Sequence, residues 1–345
     1  MSPSVLGNVV KQQVAKEKGT SKVGAISRRS SRLVTGLASH RSRVRSHICG
    51  KTQRGSNLIT DNRCRLKVQQ TGGQSGGTMD LPLTDGIFCG PSPLVMHVPH
   101  SSTVIPDEVR ADLLLDDSEL DLELKKMTDW YTDDLANIAL DRAGLNARTV
   151  ENQFSRLVVD PERFIGDEEP MAAIGMGPVY HSTSDLSPLR LPDPIRDGAL
   201  IDQYFRPYAR MFTKVVDGVL ADCGRAIIVD LHSFPTKPLP YELDQHALRP
   251  GICIGTDPFH TPDSIVAMAI ESFAGLPGGI ALNTPFAGTY VPLKHLGRTP
   301  EVTSVMIEIR RNLYQEEPGG PRHDGLMTVA SGLIKFLSRV VWFGA

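Results

Sequence analysis

The chain has 345 residues and a net charge of −2, so it has room for two domains or for one large domain behind a leader. It contains no secretory apolar region and no long apolar span, which argues against membrane insertion. Its five cysteines are odd in number and form no Cys-x-x-Cys pair, which argues against a disulfide framework and against a thiolate zinc site. We therefore expect a protein of the reducing cytoplasm.

Charge and composition divide the chain near residue 79. Residues 1–78 contain 15 Lys and Arg against two acids, a balance of +13 that leaves −15 for residues 79–345. The first segment has no aromatic residue and no sustained apolar period. Such a composition cannot bury enough surface to offset the entropy of ordering. We predict that residues 1–78 form a disordered basic leader and that residues 79–345 form a single domain.

Three explanations for the basic leader remain open. It could bind nucleic acid through the cluster at 41–45, or it could be a transit peptide, being rich in Arg and Ser and poor in acids. It could also be an upstream extension of a chain whose true start is Met79, and we favour this because ordinary globular composition begins there. A non-enzymatic nucleic-acid-binding protein is disfavoured, since residues 79–345 are acidic.

Short apolar runs alternate with helical patterns along residues 79–345. The runs predict strands near 94–98, 147–150, 226–229, 251–255, 279–283 and 303–314. The helical patterns lie near 112–126, 128–143, 200–223, 263–274 and 327–342. Alternation of this kind predicts an α/β fold of three layers, α/β/α, with helices on both faces of a mixed, mostly parallel sheet. The irregular segment 166–200 is too long for an ordinary connection and is typical of a functional loop.

Two histidines stand at the polar ends of predicted strands, and the strand that begins at 226 is predicted to reach His232. His232 comes just after the run 226–229, and Asp230, two residues earlier, would share its face on a strand. His100 follows Pro99 at the end of another run, where turn chemistry is the alternative explanation. Ligands of open α/β sheets bind beyond the carboxyl ends of the strands. Both histidines are therefore candidate ligands, whereas His97, inside its strand, is more typical of a packed histidine.

Two carboxylates complete a candidate metal site. Asp129 stands four residues before Asp133, so both would lie on one helix face. Either both acids favour the helix dipole, or one of them, Asp129, is a metal ligand. Glu308 lies within an apolar run, where burial would raise its pKa and suit it to be a base. Two histidines and a carboxylate are the ligand set of a catalytic zinc with one open position. The remaining Glu would accept the proton of the attacking water.

Two arginines seven residues apart flank a short apolar stretch. Arg156 and Arg163 would present two guanidinium groups to one cleft, which suits a substrate that carries carboxylates. Ion pairing with Asp160 or Glu162 is the alternative explanation, and the sequence leaves both open.

Five motifs in this order resemble the N-formylglutamate amidohydrolase family over about residues 90–318. They are Val98-Pro99-His100-Ser101, Thr128-Asp129, the run from Ser155 to Arg163, Asp230-Leu231-His232-Ser233 and the run from Glu308 to Tyr314. The family is similar in fold to zinc carboxypeptidases, in which a His-Ser strand end provides a zinc ligand and a Glu-Leu-Arg-like strand provides the base. His232 and Glu308 match these two elements.

The resemblance implies a zinc enzyme, with another divalent metal as an alternative, that hydrolyses N-formyl-L-glutamate to formate and L-glutamate in histidine breakdown. It implies His100, Asp129 and His232 as metal ligands and Glu308 as the base. It also implies that Arg156, Arg163 and Tyr290 bind the substrate. A hydrolase of the same scaffold that acts on another N-acyl amino acid or a peptide terminus is the alternative, and the sequence does not determine the oligomeric state.

The chain departs from the family pattern at three places. The His-x-x-Glu spacing of the carboxypeptidases is missing, because Thr103 stands three residues after His100. The typical Asp-Leu-Asn-Arg is replaced by the tetrapeptide 160–163, Asp-Pro-Glu-Arg, and the Gly-Gly-Tyr loop by residues 287–290, Ala-Gly-Thr-Tyr. These changes concern the identity of the acyl amino acid more than the hydrolytic reaction.

Overall fold

The computed structural model describes residues 92–166 and 168–344, so the predictions for residues 1–78 lie outside the described residues. A six-stranded mixed sheet has the order β2-β1-β3-β6-β4-β5. Its strands are β1 (Leu94–Val98), β2 (Arg148–Glu151), β3 (Ala226–Phe234), β4 (Ile252–Gly255), β5 (Ile280–Leu282) and β6 (Val302–Arg310). The pairs β1–β2, β1–β3, β3–β6 and β4–β5 are parallel, and β4 is antiparallel to β6.

Seven α-helices connect or flank these strands in the described residues. They are α1 (Asp107–Arg110), α2 (Asp117–Met127), α3 (Thr132–Arg142), α4 (Pro194–Leu200), α5 (Arg206–Cys223), α6 (Asp263–Phe273) and α7 (Gly325–Val340). A π-helical turn (Ile201–Phe205) joins α4 to α5, and 3₁₀ turns span Pro170–Ile174 and Arg311–Leu313. None of the helices in these ranges combines the length and the apolar character that a membrane crossing requires.

Each face of the sheet is covered by helices. On one face, Leu94, Ile227 and Ile307 belong to a core that also contains buried residues of α3, α6 and α7. On the other face, Val95 and Ile228 pack against α5. Because neighbouring residues of a strand point to opposite faces, the unbroken apolar runs follow from burial on both sides. The predicted class, an α/β fold with helices on both faces of a mostly parallel mixed sheet, is confirmed.

Strand β3 contains His232, as predicted, and continues two residues further to Phe234. Two local predictions about the turn before α3 were wrong, and they change how the site is built. Asp129 precedes α3 and does not share a helix face with Asp133. Neither Thr128 nor Thr132 caps α3, since Tyr131, in the left-handed region at φ 63°, is its N-cap residue. Thr132 instead donates from its hydroxyl to the carbonyl of Asp129 at 2.7 Å, which fixes the turn that carries this acid.

Candidate functional site

Strands β3 and β6 place His232 beside Glu308. The two residues are register partners in the parallel β3–β6 pair, so their side chains leave the same face of the sheet next to each other. His232 is 4% exposed and Glu308 is 8% exposed. The pairing of two regular strands therefore determines the spacing of the predicted ligand and the predicted base.

The chain that follows β1 brings His100 and Asp129 to the same place. The backbone N–H of Asp129 donates to the carbonyl of His100 at 2.9 Å. Arg311, which follows β6 directly, donates from Nη2 to Oδ1 of Asp129 at 2.9 Å and from Nε to the Ser233 hydroxyl at 3.1 Å. The side chains of His100, Asp129 and Arg311 are all buried. Arg311 thus neutralises one side of the Asp129 carboxylate and fixes its direction.

Three potential ligand atoms form a small triangle. Nδ1 of His100 lies 3.3 Å from Nδ1 of His232. Oδ2 of Asp129 lies 3.3 Å from Nδ1 of His232 and 3.7 Å from Nδ1 of His100. Ligand atoms about 2.0–2.1 Å from a tetrahedral zinc are separated by about 3.3–3.4 Å. The triangle therefore has the dimensions of three ligands of one metal ion.

Buried carboxylates hold the opposite edges of both imidazole rings. Nε2 of His232 lies 2.8 Å from Oδ1 of Asp230, and Nε2 of His100 lies 3.0 Å from Oδ1 of Asp160. If each Nε2–H donates to its carboxylate, each Nδ1 presents a lone pair to the triangle. A carboxylate behind a histidine is the usual second shell of a metal ligand, because it fixes the tautomer and the ring orientation.

A hydrogen-bond chain continues behind Asp230. His97 places Nδ1 2.8 Å from Oδ1 of Asp230 and Nε2 2.7 Å from the hydroxyl of Tyr208 on α5. The backbone N–H of Tyr290 donates to Oδ2 of Asp230 at 2.9 Å. His97 is fully buried, as its position inside β1 predicts, and it helps to support His232 through Asp230.

A further acid, Glu162, lies beside the same histidines. His100, Glu162 and His232 form a candidate metal-binding group whose potential ligand atoms are within 4.8 Å of one another, and His97, Glu162 and Asp230 form a second such group. The Glu162 oxygens face the Nε2 atoms, at 3.3 Å from His232 and 3.8 Å from His100. Two carboxylates, Asp129 and Glu162, thus compete for the role of third ligand from opposite edges of the rings.

The carboxylates around the two histidines produce a negative electrostatic potential at their rings. Burial by itself lowers the pKa of His232, but Glu162 and Asp230 more than offset it and hold that pKa well above its ordinary value. Burial and Arg156 lower the pKa of His100, whereas Asp160 and Asp129 raise it to a net increase. The same potential attracts a divalent cation.

Glu308 has the environment of a base. Burial raises its pKa to about 7, while the nearby His232 lowers it and Asp129 raises it. Its Oε2 atom is buried and has no hydrogen-bond partner among the described residues. A buried carboxylate oxygen without a donor is poised to take a proton from a bound water or substrate.

Asp160 brings the two predicted substrate arginines together. Arg156 donates from Nη2 to Oδ2 of Asp160 at 2.7 Å, and Nε of Arg163 lies 3.5 Å from the same oxygen. Both arginines lie in an irregular segment and converge on one carboxylate, and they do not extend from opposite ends of a helix or strand. Arg163 differs from Arg156 in that its Nε is buried and has no hydrogen-bond partner among the described residues.

The ring of Tyr290, the third predicted substrate residue, lies in an aromatic group beside the histidines. It stacks on Phe212 with ring centroids 5.2 Å apart and lies 5.0 Å from the ring of His97. The ring is packed, and burial holds the pKa of its hydroxyl above the ordinary value. The predicted contact of Tyr290 with a substrate stays a prediction.

Sequence reasoning did not assign Asp160, Glu162, Asp230 and Arg311 to the site. Asp230 was the one with a clear signal, since it shares the strand face of His232 two residues away. Asp160 and Glu162 were considered only as ion-pair partners of the arginines. Their contacts with His100 and His232 depend on the path of the irregular segment after β2, which no periodic pattern in the sequence indicates.

Comparison with known proteins gives the family and the fold of the chain. The family model described as N-formylglutamate amidohydrolase matches residues 92–315. No curated protein matches the chain significantly.

Two solved structures share the fold. A crystal structure of N-formylglutamate amidohydrolase from Ralstonia eutropha JMP134 is 22% identical, with a TM-score of 0.61, and the match covers 74% of this chain and 94% of that one. A gene product of Agrobacterium tumefaciens is 17% identical, with a TM-score of 0.52, and the match covers 73% and 91%. Since the family model covers more than half of the sequence, the chain belongs to the N-formylglutamate amidohydrolase family.

Proposed function

We propose that the protein is a metal-dependent amidohydrolase that cleaves the amide bond of an N-acyl amino acid, with N-formyl-L-glutamate as the reference substrate and formate and L-glutamate as its products. The observation that carries this proposal is the triangle of Nδ1 of His100, Nδ1 of His232 and Oδ2 of Asp129 beside the partnerless Oε2 of Glu308. Family membership supports the reaction class. A hydrolase for a different N-acyl amino acid or a peptide terminus remains the second candidate.

Asp129 is preferred to Glu162 as the third ligand. Ligation through Nδ1 uses the ring edges that no second-shell carboxylate holds, whereas ligation through Nε2 would break the hydrogen bonds to Asp230 and Asp160. Two nitrogens and one carboxylate oxygen suit zinc with one open coordination position. When bound there, zinc would lower the pKa of its water and polarise the acyl carbonyl.

Residues of the chain carry out proton transfer, orient the histidines and bind the substrate. Glu308 accepts a proton from the attacking water and then donates it to the leaving amine. One residue therefore serves as both the base and the acid of the reaction. Asp230 and Asp160 hold the two histidine rings in one tautomer. Arg163 binds a carboxylate of the substrate through Nε, which has no hydrogen-bond partner among the described residues. Its guanidinium also lies within ion-pair distance of Asp160 and Glu169.

The direct test is metal analysis of the purified protein together with formate release from N-formyl-L-glutamate. We expect about one zinc ion per chain and formate release that stops on chelation and returns with added zinc. A protein that binds no divalent metal would contradict the proposed mechanism.

Asp129→Asn distinguishes the two candidate ligand sets. Asparagine keeps an oxygen for Arg311 but loses the negative charge beside the histidines, so we expect weaker zinc retention under chelator competition. Glu162→Gln is the matched comparison, because it makes the same change in the rival ligand, and it should retain zinc as the unaltered protein does. The reverse pattern would assign the metal to His100, Glu162 and His232.

Replacement of the arginines tests substrate binding. Arg163→Ala should raise KM for N-formyl-L-glutamate by roughly 10- to 100-fold, since a hydrogen bond to a charged group contributes about 1.5–3 kcal/mol. Arg156→Ala should also raise KM, and because Arg156 binds Asp160, it should in addition reduce zinc affinity. Steady-state kinetics and metal content measure these effects. An unchanged KM in both variants would indicate that the arginines form ion pairs within the protein and do not bind the substrate.

A further inference from the structure

The carboxylate of Glu162 lacks a donor of its own. Within residues 92–166 and 168–344, its Oε1 atom is buried without a hydrogen-bond partner, and the side chain is 19% exposed, more than the histidines around it. Oε1 lies 3.3 Å from Nε2 of His232 and 3.6 Å from Nδ1 of His97. Oε2 lies 3.8 Å from Nε2 of His100.

Each of these three nitrogens already has a closer acceptor. His232 and His97 both lie 2.8 Å from Oδ1 of Asp230, and His100 lies 3.0 Å from Oδ1 of Asp160. A single N–H donates fully to one acceptor, so Glu162 is left with weak, long contacts. A buried carboxylate without a hydrogen bond is costly, and a ligand that brings a donor would relieve that cost.

Two other partners for Glu162 can be considered, a second metal ion and the N–H of the scissile amide. A second metal ion is disfavoured, because ligation by the nitrogens that face Glu162 would break their hydrogen bonds to Asp230 and Asp160. The scissile N–H is also disfavoured. Glu162 faces the Nε2 edges of His100 and His232, whereas the triangle with Asp129 and the neighbouring Glu308 define the reaction centre at the Nδ1 edges.

Arg163, the next residue along the chain, shows the complementary deficit. Its Nε is buried without a hydrogen-bond partner, 3.5 Å from Oδ2 of Asp160. Adjacent residues thus present one carboxylate oxygen and one guanidinium nitrogen that form no hydrogen bond among the described residues, while Nη1 of Arg163 lies 3.8 Å from Oε1 of Glu169. A dicarboxylate satisfies Arg163 but brings a second negative charge towards Glu162.

We propose that the amine part of the substrate carries one carboxylate, which binds Arg163, and in addition a neutral or cationic hydrogen-bond donor on its side chain, which binds Glu162. This inference rests on the proposed function and narrows its substrate class. A side-chain carboxamide is the simplest group of this kind. Glu162 is then the residue that distinguishes a side-chain amide from a side-chain acid.

The test compares two substrates that differ in one group of nearly equal size, N-formyl-L-glutamine and N-formyl-L-glutamate. We expect the unaltered enzyme to favour the carboxamide by about 10- to 100-fold in kcat/KM, because the acid would place like charges together in a desolvated site. Glu162→Gln should reduce this preference by about the same factor. Glu301→Gln removes a charge from an exposed residue at the opposite end of β6 and should keep the preference unchanged.

Binding provides a readout that does not require turnover. Calorimetric titration with L-glutamine and L-glutamate, the two released amino acids, should show the same preference and the same response to Glu162→Gln. A preference that Glu162→Gln leaves intact would overturn the inference. An equal loss of activity on both substrates would overturn it as well, because Glu162 would then act at a group that both share.

The two proposals fail in different ways. If zinc-loaded enzyme hydrolyses neither substrate, the proposed function is wrong, and the binding preference still decides the role of Glu162. If both substrates are hydrolysed at the same rate, the proposed function is supported, but the proposed role of Glu162 in substrate choice is wrong.

Discussion

Glu308→Gln is expected to reduce kcat by about 10²–10⁴-fold while the zinc content stays normal. Glutamine preserves the shape of the side chain but cannot accept a proton from the attacking water. The buried Oε2 atom, which has no hydrogen-bond partner in the described residues, and the pKa near 7 are the features that give this position its role. Initial-rate kinetics and metal analysis of the same preparation measure the two effects.

Glu301→Gln is the control for this substitution. It makes the same chemical change at an exposed residue directly before β6, whereas Glu308 lies near the carboxyl end of that strand. The control should retain full turnover. Near-normal turnover in Glu308→Gln would exclude Glu308 as the base, and loss of zinc from it would indicate that the residue supports the metal site instead.

His232→Ala is expected to lose bound metal and activity together, because it removes one corner of the ligand triangle. The loss of zinc affinity should exceed the roughly 10- to 100-fold that changes behind a ligand usually cost. The substitution also leaves Asp129 and Asp230 facing each other across a gap without the imidazole between them. Chelator competition and formate release measure the two losses.

His246→Ala is the matched control, since His246 is exposed and belongs to neither candidate metal group. Circular dichroism distinguishes loss of the metal from loss of the fold. A folded His232→Ala protein that keeps a full complement of zinc would remove His232 from the ligand set and overturn the proposed mechanism.

The sequence by itself predicted the layers of the fold. The runs at 94–96 and 226–229 are apolar at consecutive positions, and this is enough to indicate strands that are buried on both faces. The polar residues that end such runs indicated the carboxyl edge of the sheet as the place of the site. His232 was found this way and Glu308 as a carboxylate within an apolar run, and the structure places them side by side.

The proposed third metal ligand, Asp129, was harder to predict, because it lies in the turn between α2 and α3. The turn is held by contacts that come from other parts of the chain, chiefly Arg311 and the carbonyl of His100. A local helical pattern suggested the wrong environment for Asp129, although it pointed to the right part of the chain. The direction of its carboxylate is set by partners that are distant in sequence.

The lengths and periods of the sequence determined the α/β class and the positions of His232 and Glu308, because strand burial and alternation are local properties. Only the tertiary structure placed Asp160, Glu162 and Asp230 around the histidines and brought both arginines onto Asp160. These contacts join irregular segments to strands far away in the sequence. Their geometry depends on the path of the loops, for which no periodic signal exists.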